Sequence, residues 1–474
     1  MRQLARSFVV ILASLGCASP PSGELDETSG AEVVEAAAVP LRGRRVPAPP
    51  PGCREPRVRD MADPRFVEPV GDRPGVEVHA FAAGGRLVVI EATPGRPARG
   101  EIYDLERDAW TDITSSDAPR FGSFDEGPGP LGSPRFFAFE DWVVVTWLDG
   151  NHGTRWSGAV LDAVRNTWRA MSTVGMPDRL PEATEHGAAG VYLRLSRGLE
   201  SGYRYDVRAD RWSPISTAGA PSSRQGGVAV VPPGSGRLLV WGGTNASPLG
   251  DGAVYDVRAD RWAPIATVGA PSPRYGSFAA ATDDGLVVWS GSAEPSRMPY
   301  LDDGGLYAWA EARWRPIPLE GAPDAEIGGA SAPDVAWTGE ALVVRALPGT
   351  DRGEPRRLAF FDPALGAWWR SETPSHAHPI AMAHGRVLLL DPASPRLYVP
   401  RERAECVIAI PSARVFASMS AGSLFRAVVR IGDELVVWGR TDFESTRPPC
   451  PRGAPCMPQE TAQITSAAGA VLTP

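Results

Sequence analysis

The chain has little of what enzymes most often use. It holds six histidines and five cysteines in 474 residues, and only one close histidine pair, His376-Ala-His378. No Ser/His/Asp constellation, glycine-rich phosphate loop or cluster with metal-ligand spacing stands out. A basic excess is also missing. Lys and Arg number 48 against 56 Asp and Glu, a net charge of −8, which excludes the electrostatic footprint of a nucleic-acid binder. The apolar run near the N-terminus, Phe8 to Leu15, is too short to span a bilayer.

That run belongs to a different signal. Arg2 and Arg6 precede it and Ser14-Leu15-Gly16-Cys17 follows, so residues 1–17 read as an export signal. The last four residues resemble a bacterial lipobox, in which the cysteine becomes the lipidated first residue. Ser14 stands where Leu is usual, so ordinary signal cleavage stays open. Ala18 after Cys17 resembles lipoproteins of the outer membrane or cell surface. Residues 18–52 sustain no apolar period. They are first acidic (Glu24, Asp26, Glu27), then briefly basic (Arg42, Arg44, Arg45), then proline-rich. This is the composition of a tether. With Cys17 lipidated, Cys53, Cys406, Cys450 and Cys456 remain, an even number for an oxidising compartment. Three pairings are possible. One closes the short Cys450–Cys456 loop and joins Cys53 to Cys406.

Glycine (51), proline (48) and tryptophan (15) are abundant, which suits many short strands joined by turns. A repeat accounts for much of it. Tyr205-Asp-Val-Arg-Ala-Asp-Arg-Trp212 recurs letter for letter as Tyr255 to Trp262, and the likeness runs from Tyr205–Arg224 to Tyr255–Arg274. Looser copies place an aromatic or aliphatic residue seven positions before Trp110, Trp168, Trp314 and Trp368. Five positions after the first residue sits Asp108, Asn166, Asp210, Asp260 or Gly366 (Ala312 is the exception). Those types tolerate left-handed backbone, so each block reads as strand, tight turn, strand. Eight strongly apolar runs precede the blocks, at Leu87, Trp142, Val191, Leu238, Leu286, Leu342, Val387 and Leu435. Each reads as a strand buried on both faces.

A di-glycine after such a strand (Trp241-Gly242-Gly243), then Tyr-Asp, Trp, and Pro273-Arg274-Tyr275-Gly276 resembles the kelch repeat, over roughly residues 76–440. The resemblance implies an all-β propeller of four-stranded blades. Eight apolar strands imply eight blades, with seven as the second count, and residues 53–474 form the ring. The last blade lacks an outer strand. Residues around Arg65–Glu68 are expected to supply it and close the ring with N- and C-terminal strands.

In such a ring the loops between second and third strands vary most here: Asp149–Trp156, Thr244–Asp251, Ser292–Asp303 and Thr441–Gln459. Variable loops on a rigid scaffold carry binding, so His152, Arg155, Trp156, Asn245, Arg297, Tyr300 and Asp302 are the candidate ligand-binding residues. Arg120, Arg224 and Arg274 recur at one place in the repeat. They either ring the mouth as forks for carboxylates or sugars, or brace the blades; recurrence favours the brace. Some kelch propellers are copper oxidases or sugar epimerases. A copper-radical site needs paired His and Tyr ligands and a Cys to modify a Tyr, whereas these cysteines are better explained as disulfides. The expectation is a monomeric, exported binding scaffold for a protein or glycan, with no cofactor and no metal. The alternative is a carbohydrate-active enzyme using the propeller mouth.

Overall fold

The computed structural model describes residues 55–63, 77–93, 95–121, 134–149, 155–178, 185–195, 202–232, 235–282, 285–294, 301–322, 334–345, 358–371, 379–382, 385–389, 395–412, 423–442 and 465–473. They form eight antiparallel four-stranded sheets and one small hairpin, Thr244–Asn245 with Ser247–Pro248. The count is therefore eight blades. In blade 1 the strands are Glu77–Ala83, Arg86–Ala92, Arg99–Asp104 and Ala109–Asp112, paired in chain order. Blades 2 to 7 repeat that order. First strands lie against one another from blade 8 through blades 1, 2 and 3, and again from blade 4 to blade 7. They line the axis.

Burial explains the apolar runs. Leu87, Val88, Val89 and Ile90 in the second strand of blade 1 are all buried. Leu87 and Val89 join a core shared with blade 8, while Val88 and Ile90 join one shared with blade 2. Alternation sends successive side chains to opposite faces, so a strand sandwiched between two neighbours has to be apolar throughout. First strands differ. Every residue of Arg135–Phe139, Val228–Val230 and Phe278–Ala281 is half-exposed, as expected of strands bordering an axial opening.

The repeated block is a device for joining blades. Asp108, Asn166, Asp210, Asp260 and Ala312 all have positive φ, between 47° and 57°, which closes the third–fourth turn. The Asp next to the first residue stabilises that turn: Asp256 Oδ1 accepts the N–H groups of Arg258 and Ala259, at 3.0 and 2.9 Å, an Asx turn. The left-handed Asp then reaches the preceding blade. Asp260 Oδ1 accepts the Tyr255 hydroxyl at 2.5 Å and the Ser216 N–H at 3.0 Å. Trp262 Nε1 donates to the Ser216 carbonyl at 2.9 Å. One residue of blade 3 is thus held from both sides by blade 4. Burial, and then the bond to Asp260, push the Tyr255 pKa up, so the phenol stays a donor. Burial pushes the Asp260 carboxyl up, but the Tyr255 hydroxyl and Ser216 N–H outweigh it and hold it below the usual carboxylate range.

Ring closure corrects one expectation. The outer strand of blade 8 is Arg57–Asp60, not the segment around Arg65–Glu68. It pairs antiparallel with Thr465–Thr473, Arg57 facing Thr473 and Asp60 facing Ala470. The joint to blade 1 reuses the repeat's device. Asp108 Oδ1 accepts the Ala62 N–H at 3.1 Å, and Trp110 Nε1 donates to the Ala62 carbonyl at 2.6 Å. Blade 7 lacks the tryptophan: Glu405 faces Tyr398 where Trp262 faces Tyr255, and Glu405 takes an ion pair from Arg396 at 2.9 Å.

Candidate functional site

Strand alternation fixes two faces. First–second and third–fourth turns share one; second–third loops lie on the other, the loop face. Asn245 is exposed at the tip of the small hairpin on the loop face, and Asp302 is exposed in the blade 5 loop. Trp156 is half-buried at the base of the blade 2 loop, in the strand Arg155–Asp162 that begins with Arg155. His152, Arg297 and Tyr300 lie outside the described residues, as do Cys17, Cys53, Cys450 and Cys456; Cys406 is buried in the outer strand of blade 7.

The recurrent arginines do not act alike. Arg274 is wholly buried. Its guanidinium donates to the carbonyls of Ser272, Ser290 and Asp303 at 2.8, 3.2 and 3.1 Å, and pairs with the Asp303 carboxylate at 2.7 Å. Arg224, 5% exposed, repeats this with Ser222, Gly242 and Asp251. Each fork clamps the two ends of its own blade's second–third loop. That is the bracing role that recurrence favoured, and these bonds of Arg224 and Arg274 hold their own loops, with no ligand fork needed to explain either arginine. Arg120 is exposed, and its backbone bridges to Pro97.

Further bonds tie the described loop segments of blades 4 and 5 to each other. Gly243 N–H donates to the Arg274 carbonyl at 2.8 Å, and Gly276 N–H to the Gly226 carbonyl at 2.8 Å. Both bonds cross between blades. Glycine is required here: Gly243 has φ of 96°, and a Cβ would lie 2.8 Å from the Gln225 carbonyl oxygen, so any side chain would push the loop off its neighbour.

Aromatic residues gather at the axial edge between blades 1 and 2. The His79 ring lies 4.5 Å from that of Phe136, and Phe81 lies 5.8 Å from Phe136. The His79 imidazole sits 3.2 Å from the Glu77 carboxylate. Sequence reading passed over this group. Its signal was the alternation Glu77, His79, Phe81 in a first strand, and only the ring topology brings Phe136 opposite. Among the described residues no group of three or more His, Cys, Asp or Glu is placed to hold a metal ion.

Against known families, a model described as the KLHDC2/KLHL20/DRC7 Kelch-repeats domain matches residues 190–393. That span runs from blade 3 to blade 7 and contains both faithful copies of the block. Over that span the chain is similar to Kelch repeats, and the ring as a whole is an eight-bladed propeller. No curated protein matches the chain in sequence.

Within this ring, the second strand of blade 3 breaks the apolar pattern. Arg194 is wholly buried in a second strand, at a place filled by Val89, Val145, Val240, Val288, Val344, Leu389 and Val437 in the other blades. Its guanidinium lies 3.9 Å from the centre of the Trp156 ring and donates to Thr146 Oγ1 at 3.3 Å. A cation stacked on an aromatic face is stabilised by the ring quadrupole. Here it fixes the base of the blade 2 loop. A charge inside an apolar run was visible in Val191-Tyr-Leu-Arg-Leu195.

His186, in the first strand of blade 3 (Glu185–Ala188), has an Nε2 shielded from water with no hydrogen-bond partner. Burial pushes its pKa down from 6.5 to about 4. The unfolded chain then binds more protons than the folded one between those values, so stability is present above pH 6.5 and lost as pH falls through about 4. The loss expected is up to ~3 kcal/mol at 1.36 kcal/mol per unit. Urea denaturation at pH 7.5 and 4.5 should show it, and His186→Leu should remove most of the slope. An unchanged slope in His186→Leu would mean that other groups set the acid limit.

Proposed function

We propose that the protein is an exported, lipid-anchored display scaffold whose loop face binds a protein partner. Kelch propellers are in general protein-binding scaffolds, residues 1–17 read as the export signal, and the polarity of the closing strand supports the orientation. Arg57 pairs with Thr473, beside the first–second turn that joins Ile431 to Glu434. Residues before Arg57 therefore leave from the face of the third–fourth turns. With Cys17 as the anchor and residues 18–52 as the tether, the loops at Asn245 and Asp302 point away from the membrane. Braced loops on that face lower the ordering cost of binding.

The test has two arms. Fatty-acid labelling of wild type and Cys17→Ala reports the anchor, and equal labelling removes it. A photo-crosslinking residue at Asn245, on intact cells, is expected to capture a protein. Replacing residues 293–302 by a short Gly-Ser linker should cut that capture at least about tenfold, the loss of one good anchor contact. Capture of carbohydrate alone, or capture indifferent to the loop, overturns the reading.

A further inference from the structure

The axial edge between blades 1 and 2 combines stacked rings with a carboxylate–imidazole pair. Glu77, His79 and Phe81 pair with Ala92, Ile90 and Val88. Val88 and Ile90 pack in the core shared with blade 2, so all three first-strand side chains face blade 2, one below another. Phe136 pairs with Val145, which packs in the same core, so Phe136 faces back towards them. Phe121 supports it from behind, edge-on to Phe136 at 6.0 Å and to Trp147 at 5.4 Å. Between blades 4 and 5 the matching first-strand positions are Val228 and Val230 against Ala279 and Ala281. Rings also meet between blades 2 and 3, where Phe137 lies 6.4 Å from His186 and 6.0 Å from Tyr192, but there the imidazole Nε2 is shielded from water and has no hydrogen-bond partner.

The wall is partly open. The side chains of His79 and Glu77 are 30% and 33% exposed, and Phe81 and Phe136 are half-exposed. Exposed ring surface at the axis favours a further planar ring, since offset stacks at centroid spacings of about 4.5–7 Å are stabilising. At the loop-face end stands one polar pair, Glu77 with His79. A carboxylate has about four lone-pair sites, so Glu77 can accept from a further donor in addition to the partners it already has. Among the described residues of this slot that pair is its polar end. A pyranose carries hydroxyls around its whole edge and would leave most of them unpartnered against phenyl rings. A phenol has a flat apolar body and one donor at its tip.

We propose that this slot receives a phenolic ring, the tyrosine side chain of the protein partner, with its hydroxyl donating to the Glu77 carboxylate. The inference rests on the partner being a protein that docks on the loop face. Tyrosine is among the side chains that most often anchor interfaces.

Small probes test the slot without the partner. The full chain, labelled in histidine, is titrated with N-acetyl-tyrosinamide, N-acetyl-phenylalaninamide and methyl glucopyranoside, with His79→Gln assigning the His79 resonance. A saturable shift of the His79 ring is expected, with the tyrosine compound tighter than the phenylalanine one by about tenfold, as a bond to a charged acceptor gives. Glu77→Gln should erase that preference and leave the phenylalanine compound unchanged. Phe136→Leu should weaken both, with the denaturation midpoint checked to show that the ring still folds. Absence of a saturable shift, an equal or larger response to the glycoside, or a tyrosine preference surviving Glu77→Gln would overturn the proposal. Failure of the loop-dependent crosslink with the probe result intact would sink only the docking face.

Discussion

A chain shortened to begin at Asp63 should fail to form a cooperatively melting ring. That segment is small, but its removal opens a closed structure at both of its neighbours. The strand Arg57–Asp60 completes blade 8 through four residue pairs. Arg59 donates to the Tyr103 hydroxyl at 2.8 Å and to the Leu105 carbonyl at 2.9 Å, and pairs with Asp108 at 2.9 Å. Ala62 adds two more bonds to blade 1, from its N–H to Asp108 and from Trp110 to its carbonyl. Truncation would leave the edge of Thr465–Thr473 unpaired, a template for association with other chains. Size-exclusion chromatography and calorimetry should show aggregate and loss of the sharp transition. A single substitution at the same joint is gentler. Met61 is buried against Gly469, whose added Cβ would meet Met61 Sδ at 2.5 Å. Met61→Asp should cost ~3–5 kcal/mol, the burial of an unpaired charge added to lost packing. A truncated chain that melts as sharply as the full one would show that the ring does not depend on this strand.

The same joint bears on the cysteines. Glu55 accepts the Ala409 N–H at 3.1 Å, and Asp60 bonds the Ser412 hydroxyl. The chain ahead of the closing strand therefore runs beside blade 7, near the buried Cys406. We propose that Cys53, two residues before Glu55, pairs with Cys406 and pins the closing strand of blade 8 to blade 7 by a covalent bond that joins residues far apart in sequence. Peptide mapping without reduction should recover the linked pair. Reduction should lower the stability of the ring by ~2–4 kcal/mol. Recovery of Cys53 as a free thiol would leave closure to the strand alone.

How far the ring could be read from sequence differs from element to element. Second strands were legible because burial on both faces demands unbroken apolar runs such as Leu87–Ile90. Third and fourth strands were legible because a left-handed turn residue and a large ring recur at fixed spacing. The closing strand was not. Arg57-Val-Arg-Asp60 has two exposed and two half-buried residues, so it has no period to read, and only its pairing with Ala470–Thr473 defines it. Arg224 and Arg274 show a second limit. Their recurrence marked them as important, but whether a guanidinium points to a ligand or clamps its own loop depends on where Gly242, Asp251, Ser290 and Asp303 fall in space. The slot shows a third, since Phe136 lies across a blade boundary from Glu77 and His79 and no spacing in the chain encodes that.

The chain contains its own test of the block that joins the blades. In blade 5 the left-handed position is Ala312, with φ of 49°. Trp314 Nε1 still donates to the Ala266 carbonyl at 2.8 Å, as Trp262 does to Ser216, but no carboxylate stands between Tyr307 and the Ala266 backbone. Ala312→Asp should therefore add what blade 4 already has. It offers an acceptor to the Tyr307 hydroxyl and the Ala266 N–H, and Asp tolerates left-handed backbone better than Ala. A gain of ~1 kcal/mol is expected, the net worth of a typical hydrogen bond. The reverse change, Asp260→Ala, removes the acceptor from the Tyr255 hydroxyl and the Ser216 N–H together and should cost ~2–3 kcal/mol. Asp260→Asn keeps an acceptor and a residue suited to positive φ, so it should recover most of that loss. Trp262→Ala should be the most severe of the set, ~3–5 kcal/mol, because it also empties the wedge between blades 3 and 4. Urea denaturation followed by tryptophan fluorescence ranks all four at neutral pH. If Ala312→Asp proved neutral while Asp260→Ala was costly, the carboxylate would be serving its own turn, and the joint between blades would rest on the tryptophan alone.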